Sequence, residues 1–250
     1  MKRTILPLFI GLASLSFSVL PAGKGSETAA PAISHDNLSG SVATTVLKSK
    51  SLEAKASELY EEAGLAKLGL SFKVLKYALK GYEKLKDRGH VKKDEVLTVV
   101  DFSQGSKKKR MYIIDVENQE VLINTWVAHG KNTGLDKATR FSNRMNSLQS
   151  SLGFYVTANT YYGQHGLSLR LDGKERGYND KAMDRAIVIH GANYIGKHRL
   201  KSGYMGRSWG CPAVPKEVSA KVINLIKNGT CFFIYHPSNS YLHGSRLLNG

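Results

Sequence analysis

The sequence predicts a mainly β domain with one late helix, preceded by a small helical region. Three observations carry this. After Gly89 the apolar period changes from 3.6 to 2. From residue 96 onward, β-type runs outnumber helical ones, and no regular helices separate them as a doubly wound sheet would need. A hydrophobic fraction of 42% over 250 residues is enough for one good-sized core.

In chain order, Met1-Lys2-Arg3 is a cationic start, and Ile5 to Leu20 is uncharged and mostly apolar. Ala22, Gly23 and Gly25 follow. That pattern reads as a secretory signal peptide over 1–22. The apolar run is short for a membrane span, and no later segment is apolar enough, so no integral membrane segment is expected after signal removal. Residues 23–50 are rich in Ser, Ala, Thr and Gly and read as a flexible linker. In the helical region, 51–89, Leu52, Ala56, Leu59 and Ala63 share one face and Gly64 ends the helix. Ser71 then caps a second helix with an apolar face of Phe72, Leu75, Leu79, Tyr82 and Leu85. Its lysines, Lys73, Lys76, Lys80 and Lys84, form a solvated stripe.

Strands are expected at 96–102, 110–116, 121–129, 153–158, 167–171, 186–190 and 231–235, with a hairpin turn at Asn118-Gln119. Pro215 opens the late helix, whose buried face is Val218, Val222, Leu225 and Ile226 and whose stop is Gly229. The domain is thus expected over 90–236, and the polar tail, 237–250, is expected to be loose.

The net charge of +16 draws the protein to anionic polymers. An exported chain does not meet nucleic acid, so the charge points to the cell envelope. Two cysteines are present. Cys231 stands among Thr230, Phe232, Phe233 and Ile234 and reads as a core thiol. Cys211 lies in Gly206-Arg207-Ser208-Trp209-Gly210-Cys211-Pro212, a glycine-rich turn ahead of a helix. Backbone N–H groups there favour a thiolate and offer an oxyanion site. A disulfide between the two is the structural alternative. The apolar run 186–190 ends in His190 and Gly191, placing a base where it could take the thiol proton. His129 also ends an apolar run and reads either as a cleft-wall residue or as a strand-end histidine capped by backbone. His129, His165, His190, His198 and Cys211 are all possible metal ligands. No zinc-type spacing or acidic cluster accompanies them, and no metal or cofactor is expected.

His190-Gly191 followed by Ser208-x-Gly210-Cys211 resembles the signature of L,D-transpeptidase catalytic domains, the YkuD-like family. The match is closer to a branch whose cysteine motif reads Gly-Arg-Ser-Trp-Gly-Cys-Pro-Ala, the string at 206–213. Val127-Ala128-His129-Gly130, Phe141-Ser142-Asn143 and the stretch 150–155 also resemble that branch. The resemblance covers roughly 65–236. It implies an L,D-transpeptidase-like β-sandwich without a metal, exported to the periplasm or cell envelope of a bacterium and acting on peptidoglycan stem peptides. It also implies Cys211 as nucleophile, His190 as base and the Gly191 carbonyl as orienter of the imidazole. Gly210 and Cys211 become candidate oxyanion donors, Ser208 a support of the turn, and Arg207, Trp209 and His129 candidate substrate contacts. The commoner motif has an arginine or asparagine two residues after the cysteine. Here that position is Ala213, and Arg207 on the other side is the candidate carboxylate clamp. The implied reaction is transfer of a stem acyl group to an amine. Transfer to water on the same stems, or an inactive basic wall-binding protein, are the alternatives.

Overall fold

A computed structural model describes residues 50–250. The signal peptide expected over 1–22 and all of the expected linker except Lys50 lie outside the described residues. Three helices come first. Helix α1 (Leu52–Glu62) begins at Ser51, whose hydroxyl accepts the Ala54 N–H at 3.2 Å. A single turn, α2 (Leu65–Leu68), links it to α3 (Phe72–Asp87), capped in the same way by Ser71. Both side-chain caps satisfy an N–H that a helix start leaves without a partner.

Eight strands follow: β1 (Val96–Asp101), β2 (Met111–Asp115), β3 (Glu120–Thr125), β4 (Gly153–Gly163), β5 (Gly166–Gly173), β6 (Val188–Ala192), β7 (Ala213–Pro215) and β8 (Cys231–Tyr235). They form one sheet in the order β3-β2-β1-β8-β4-β5-β6-β7. The β1–β8 and β6–β7 pairs are parallel and the others antiparallel. Helix α4 (Lys216–Ile226) connects β7 to β8.

The sheet curls nearly closed. After β3 the chain leaves its hairpin partner and meets the far edge: Ala128 N–H donates to Ala213 O at 2.8 Å, and Gly130 bridges to Ser208. The strand expected over 121–129 therefore ends at Thr125, because residues 126–130 serve a different edge. This closure leaves less of the sheet edge unpaired. It also brings the His129 segment under the cysteine loop.

Residues 51–89 brace the sheet. Ala56, Leu59, Val74, Leu75, Ala78, Leu79 and Leu85 share one hydrophobic cluster with Val99, Phe154 and Phe233 of the strands. Gly81 of α3 lies flat on Phe154, where an added Cβ would stand 2.1 Å from the ring. Any larger residue would push α3 off the sheet.

Two expectations need correction. Strand β7 was not foreseen, and Pro215 ends it as well as preceding α4. Three residues closed by a proline carry too little periodicity to read as a strand. The tail is not loose: it forms α5 (Asn239–Gly244) and α6 (Arg246–Asn249), and Tyr241, Leu247 and Leu248 are buried. Its anchor is the buried Glu175, which accepts from Phe154 N and Tyr241 Oη, both at 2.8 Å, and from Ser245 Oγ. Burial raises the Glu175 pKa against these hydrogen bonds. No helix among the described residues is long and apolar enough to cross a membrane.

Candidate active site

Strand β6 pairs with β5 so that His190 stands opposite Ser168, and with β7 so that it stands beside Ala213. Alternation along β6 turns Val188 and His190 to one face and Ile189 to the other. Cys211, two residues before Ala213, reaches that first face: Val188 N–H donates to its Sγ at 3.5 Å. His190 and Cys211 both line a cavity of about 540 Å³, with Tyr161, His165, Arg185 and Tyr194 among its walls. None of the lining residues is an aspartate or glutamate, and none comes from residues 51–89.

His190 is only 3% exposed. Its Nδ1 lies 3.0 Å from Gly191 O. A carbonyl oxygen only accepts, so Nδ1 carries the proton and Nε2 keeps a free lone pair. Burial lowers the His190 pKa below the ordinary imidazole value, His165 adds to that, and the Gly191 bond opposes it. The ring is therefore neutral and basic at neutral pH.

The cysteine turn is held through Ser208, Gly210 and the Cys211 carbonyl. Ser208 Oγ donates to Cys211 O at 2.6 Å and accepts from Gly210 N–H at 3.1 Å. Ser208 N–H donates to His129 O, and Lys131 N–H to Ser208 O. Ser150 Oγ donates to Gly210 O at 3.1 Å and accepts from Gly130 N–H. Gly210 has φ +131, and a Cβ there would stand 3.0 Å from Gln149 O, so backbone conformation and space both call for glycine.

Two expectations change at this turn. The thiol is not set low: β7 intervenes before α4, and burial raises the Cys211 pKa above its ordinary value, opposed by the Val188 N–H and by Arg185. At rest the sulfur instead donates to Ala186 O at 3.7 Å. Ala186 itself has φ +51, a strained conformation for a residue with a Cβ. Gly210 N–H is engaged by Ser208, which leaves Cys211 N–H as the candidate oxyanion donor of the two. Cys211 and Cys231 are both free thiols, so they form no disulfide.

The other expected residues divide. Trp209 is at the cavity wall and 72% exposed, with Lys131 Nζ over its ring at 5.8 Å. Arg207 lines the cavity, and its guanidinium donates to Lys131 O at 2.8 Å and Gly134 O at 3.2 Å. His129 is fully buried and does not line the cavity, so its cleft-wall reading gives way to a structural one. Among the described residues no three His, Cys, Asp or Glu side chains group as a metal site.

Two residues were missed as parts of this site. Arg185 reaches the back of the turn, with Nη2 3.5 Å from a Cβ built on Gly210. It donates to Ser142 O, Gln149 O and the Ser147 and Ser151 hydroxyls, all of them neutral. The only sequence signal was a cation directly before the apolar run. His165 stacks on His190, and sequence reading had weighed it only as a metal ligand.

A model of the L,D-transpeptidase catalytic domain matches residues 66–235. The chain belongs to this family. Similar solved structures include the avibactam carbamoyl-enzyme of Ldtfm, at 13% identity and TM-score 0.38, covering 58% of this chain and 50% of that one. An L,D-transpeptidase from Mycobacterium smegmatis matches at 15% and 0.35, covering 57% and 59%. The helical cell shape determining protein Pgp2 of Campylobacter jejuni, as its K307A mutant, matches at 12% and 0.39, covering 65% and 55%. The chain thus spans between half and three-fifths of the length of these structures. No curated protein matches it.

Proposed function

We propose that this protein is an exported peptidoglycan L,D-transpeptidase. The observation that carries this is the pairing, in one cavity, of a free thiol with a neutral imidazole whose Nδ1 proton is tied to Gly191 O. As the Cys211 sulfur attacks the amide carbonyl of the third residue in a stem tetrapeptide, its proton passes to His190 Nε2. The carbonyl oxygen gains negative charge, which Cys211 N–H stabilises. The C–N bond then breaks, the terminal D-alanine leaves with the proton from His190, and a thioester remains on Cys211. The amine of a second stem attacks the thioester and gives a proton to His190, the C–S bond breaks, and His190 passes that proton to the sulfur, which restores the thiol. Water in place of that amine would make the enzyme a carboxypeptidase. Burial raises the pKa of the resting thiol, which gives His190 a proton to take as the sulfur attacks.

Arg207, lining the cavity with a cation held by two neutral carbonyls and the face of the Tyr204 ring, is the candidate reader of the stem carboxylate. Trp209, exposed beside it, offers an apolar ring to the stem or its sugar. The net charge of +16 holds the enzyme near an anionic wall.

The test is intact-protein mass spectrometry of the chain without residues 1–22, incubated with disaccharide-tetrapeptide while the muropeptides are followed. The expected result is an acyl adduct with loss of D-alanine, absent from Cys211→Ala. A dimeric product marks transfer to an amine, and a trimmed one marks hydrolysis. In the same assay Arg207→Ala raises KM about tenfold through the lost charge-assisted bond. Folded protein with a free thiol but neither adduct nor product would refute the reading.

A further inference from the structure

The turn between β4 and β5 is two residues long, Gln164 and His165, closed by the Gly163–Gly166 pair. A bulge between Thr157 and Thr160 bends β4 before it reaches that turn. Three residues beyond His165, Ser168 pairs with His190. The hairpin thus delivers one imidazole onto the other, with ring centroids 4.2 Å apart and planes 18° from parallel. His165 is exposed and His190 is buried, so the outer ring meets solvent and the inner ring is shielded by it. Gln164 Nε2 lies 3.2 Å from His165 Nε2. The amide nitrogen can donate to that ring nitrogen, which ties the His165 ring to its neighbour in the turn.

A base in acyl transfer needs its ring held in orientation, commonly by a third polar side chain. Among the described residues that line this cavity none is a carboxylate. The single bond from Nδ1 to Gly191 O fixes one ring atom and leaves the plane free to tilt about it. A stacked ring removes that freedom.

We infer that His165 is a positioning residue for the reaction: its imidazole clamps the plane of His190 and excludes water from one face of it. The inference rests on the proposed role of His190 as base. The stack also couples the charges, since a proton on either ring disfavours one on the other. The other ionisable groups around His190 are Cys211, Arg185, Arg207, Tyr161 and Tyr194 on the cavity walls and Lys216 beyond Gly191. All of them stay unchanged in the test.

The test compares His165→Ala and His165→Phe with the unmodified chain. His165 is exposed at a turn, so neither change removes core packing. Turnover of disaccharide-tetrapeptide is measured beside two readouts that need no peptide: alkylation of Cys211 by iodoacetamide, and histidine-selective NMR titration of His190. In His165→Ala, kcat falls about tenfold with KM within about twofold, because a loosened base misses its geometry. The His190 titration moves to higher pH as shielding and repulsion are lost. In His165→Phe, the retained ring restores kcat to within about threefold, and the His190 titration lies between the other two. Equal loss in both variants, or an unmoved His190 titration in His165→Ala, would overturn the inference. If no peptide is turned over yet alkylation and titration respond in this order, the positioning role stands and the assigned reaction fails.

Discussion

His129 and His190 each close an apolar run and each precede a glycine, yet the fold gives them opposite tasks. At His190 one ring nitrogen is tied to Gly191 O and the other is left for chemistry. At His129 both nitrogens are taken. Arg110 Nη2 lies 2.8 Å from Nδ1, and a guanidinium only donates, so Nδ1 accepts. Nε2 then carries the proton and donates to Gly134 O at 3.2 Å. A histidine without a free lone pair cannot act as a base. The difference lies in the neighbours. His129 faces a fully buried arginine, whereas His190 faces a cavity that contains a thiol. Local sequence sets where such a histidine sits, and the elements packed against it decide what it does.

The largest effect that would break this comparison is a swap of phenotypes. His190→Ala should lower acyl-enzyme formation on the order of 10²–10⁴-fold while the thermal midpoint stays close to that of the parent. His129→Ala should do the reverse in kind: it leaves a buried guanidinium proton without an acceptor and costs about 2–3 kcal/mol of stability. The residual folded fraction should still form the adduct. Rate and thermal unfolding measured on the same preparations check both arms. A His129 variant that folds fully but forms no adduct would place His129 in the chemistry after all.

Much of the fold was legible in the chain. The runs at 96–102, 110–116 and 231–235 carry enough β-branched and aromatic residues to declare themselves, and the Ser71 cap stands where the apolar period of its helix begins. The motif at 206–213 and His190-Gly191 mark the cysteine and its proposed base, and the two side chains line one cavity. What was illegible depends on partners distant in sequence. The tail is held by Glu175, 66 residues before Tyr241, and no local period foretells that. Arg185 and His165 are single residues in loops, and only the pairings of β4, β5 and β6 bring them to the site. The thiol's raised pKa was misread for the same reason: a glycine-rich turn was visible, but the burial around it was not.

Acid sharpens the comparison next. Burial, with Arg110 second, holds the His129 pKa down to about 4 in the folded protein, against about 6.5 when unfolded. The unfolded chain therefore binds the proton more readily between these values. The stability associated with neutral His129 is complete above about pH 6.5 and is lost as pH falls toward 4, on the order of 3 kcal/mol in all. Denaturant unfolding at pH 7 and pH 4.5 measures this loss. His129→Gln provides the control: its amide oxygen replaces Nδ1 as acceptor from Arg110 and its NH₂ replaces the donor to Gly134 O, with no proton to gain. His190 and His236, also lowered by burial, contribute in the same direction and remain in the variant. Only the His129 share should vanish, and an unchanged acid loss in His129→Gln would remove this histidine from the explanation.

The smallest effect concerns the arginine that accompanies each histidine site. Arg110 donates to Val127 O, Gln104 O and His129, and Arg185 donates to carbonyls and hydroxyls, so among the described residues neither has a carboxylate bonded to it. The charge of Arg110 adds to burial in holding a histidine in its neutral form. The charge of Arg185, set behind Gly210, instead lowers the pKa of a thiol that burial raises. Arg185→Gln should therefore push the Cys211 pKa further up and slow its alkylation about three- to fivefold at pH 8, where the thiolate fraction sets the rate. Cys231, enclosed in β8 and raised far more by burial, should stay unreactive in both proteins until they unfold, which gives each sample its own measure of intactness. A pH–rate curve for Cys211 that is the same with and without the arginine would mean that Arg185 only shapes the turn. A curve displaced to higher pH, with the His190 titration unmoved, would mean that the site sets the two partners of its proton transfer separately: the imidazole by burial and stacking, and the thiol by a cation behind it.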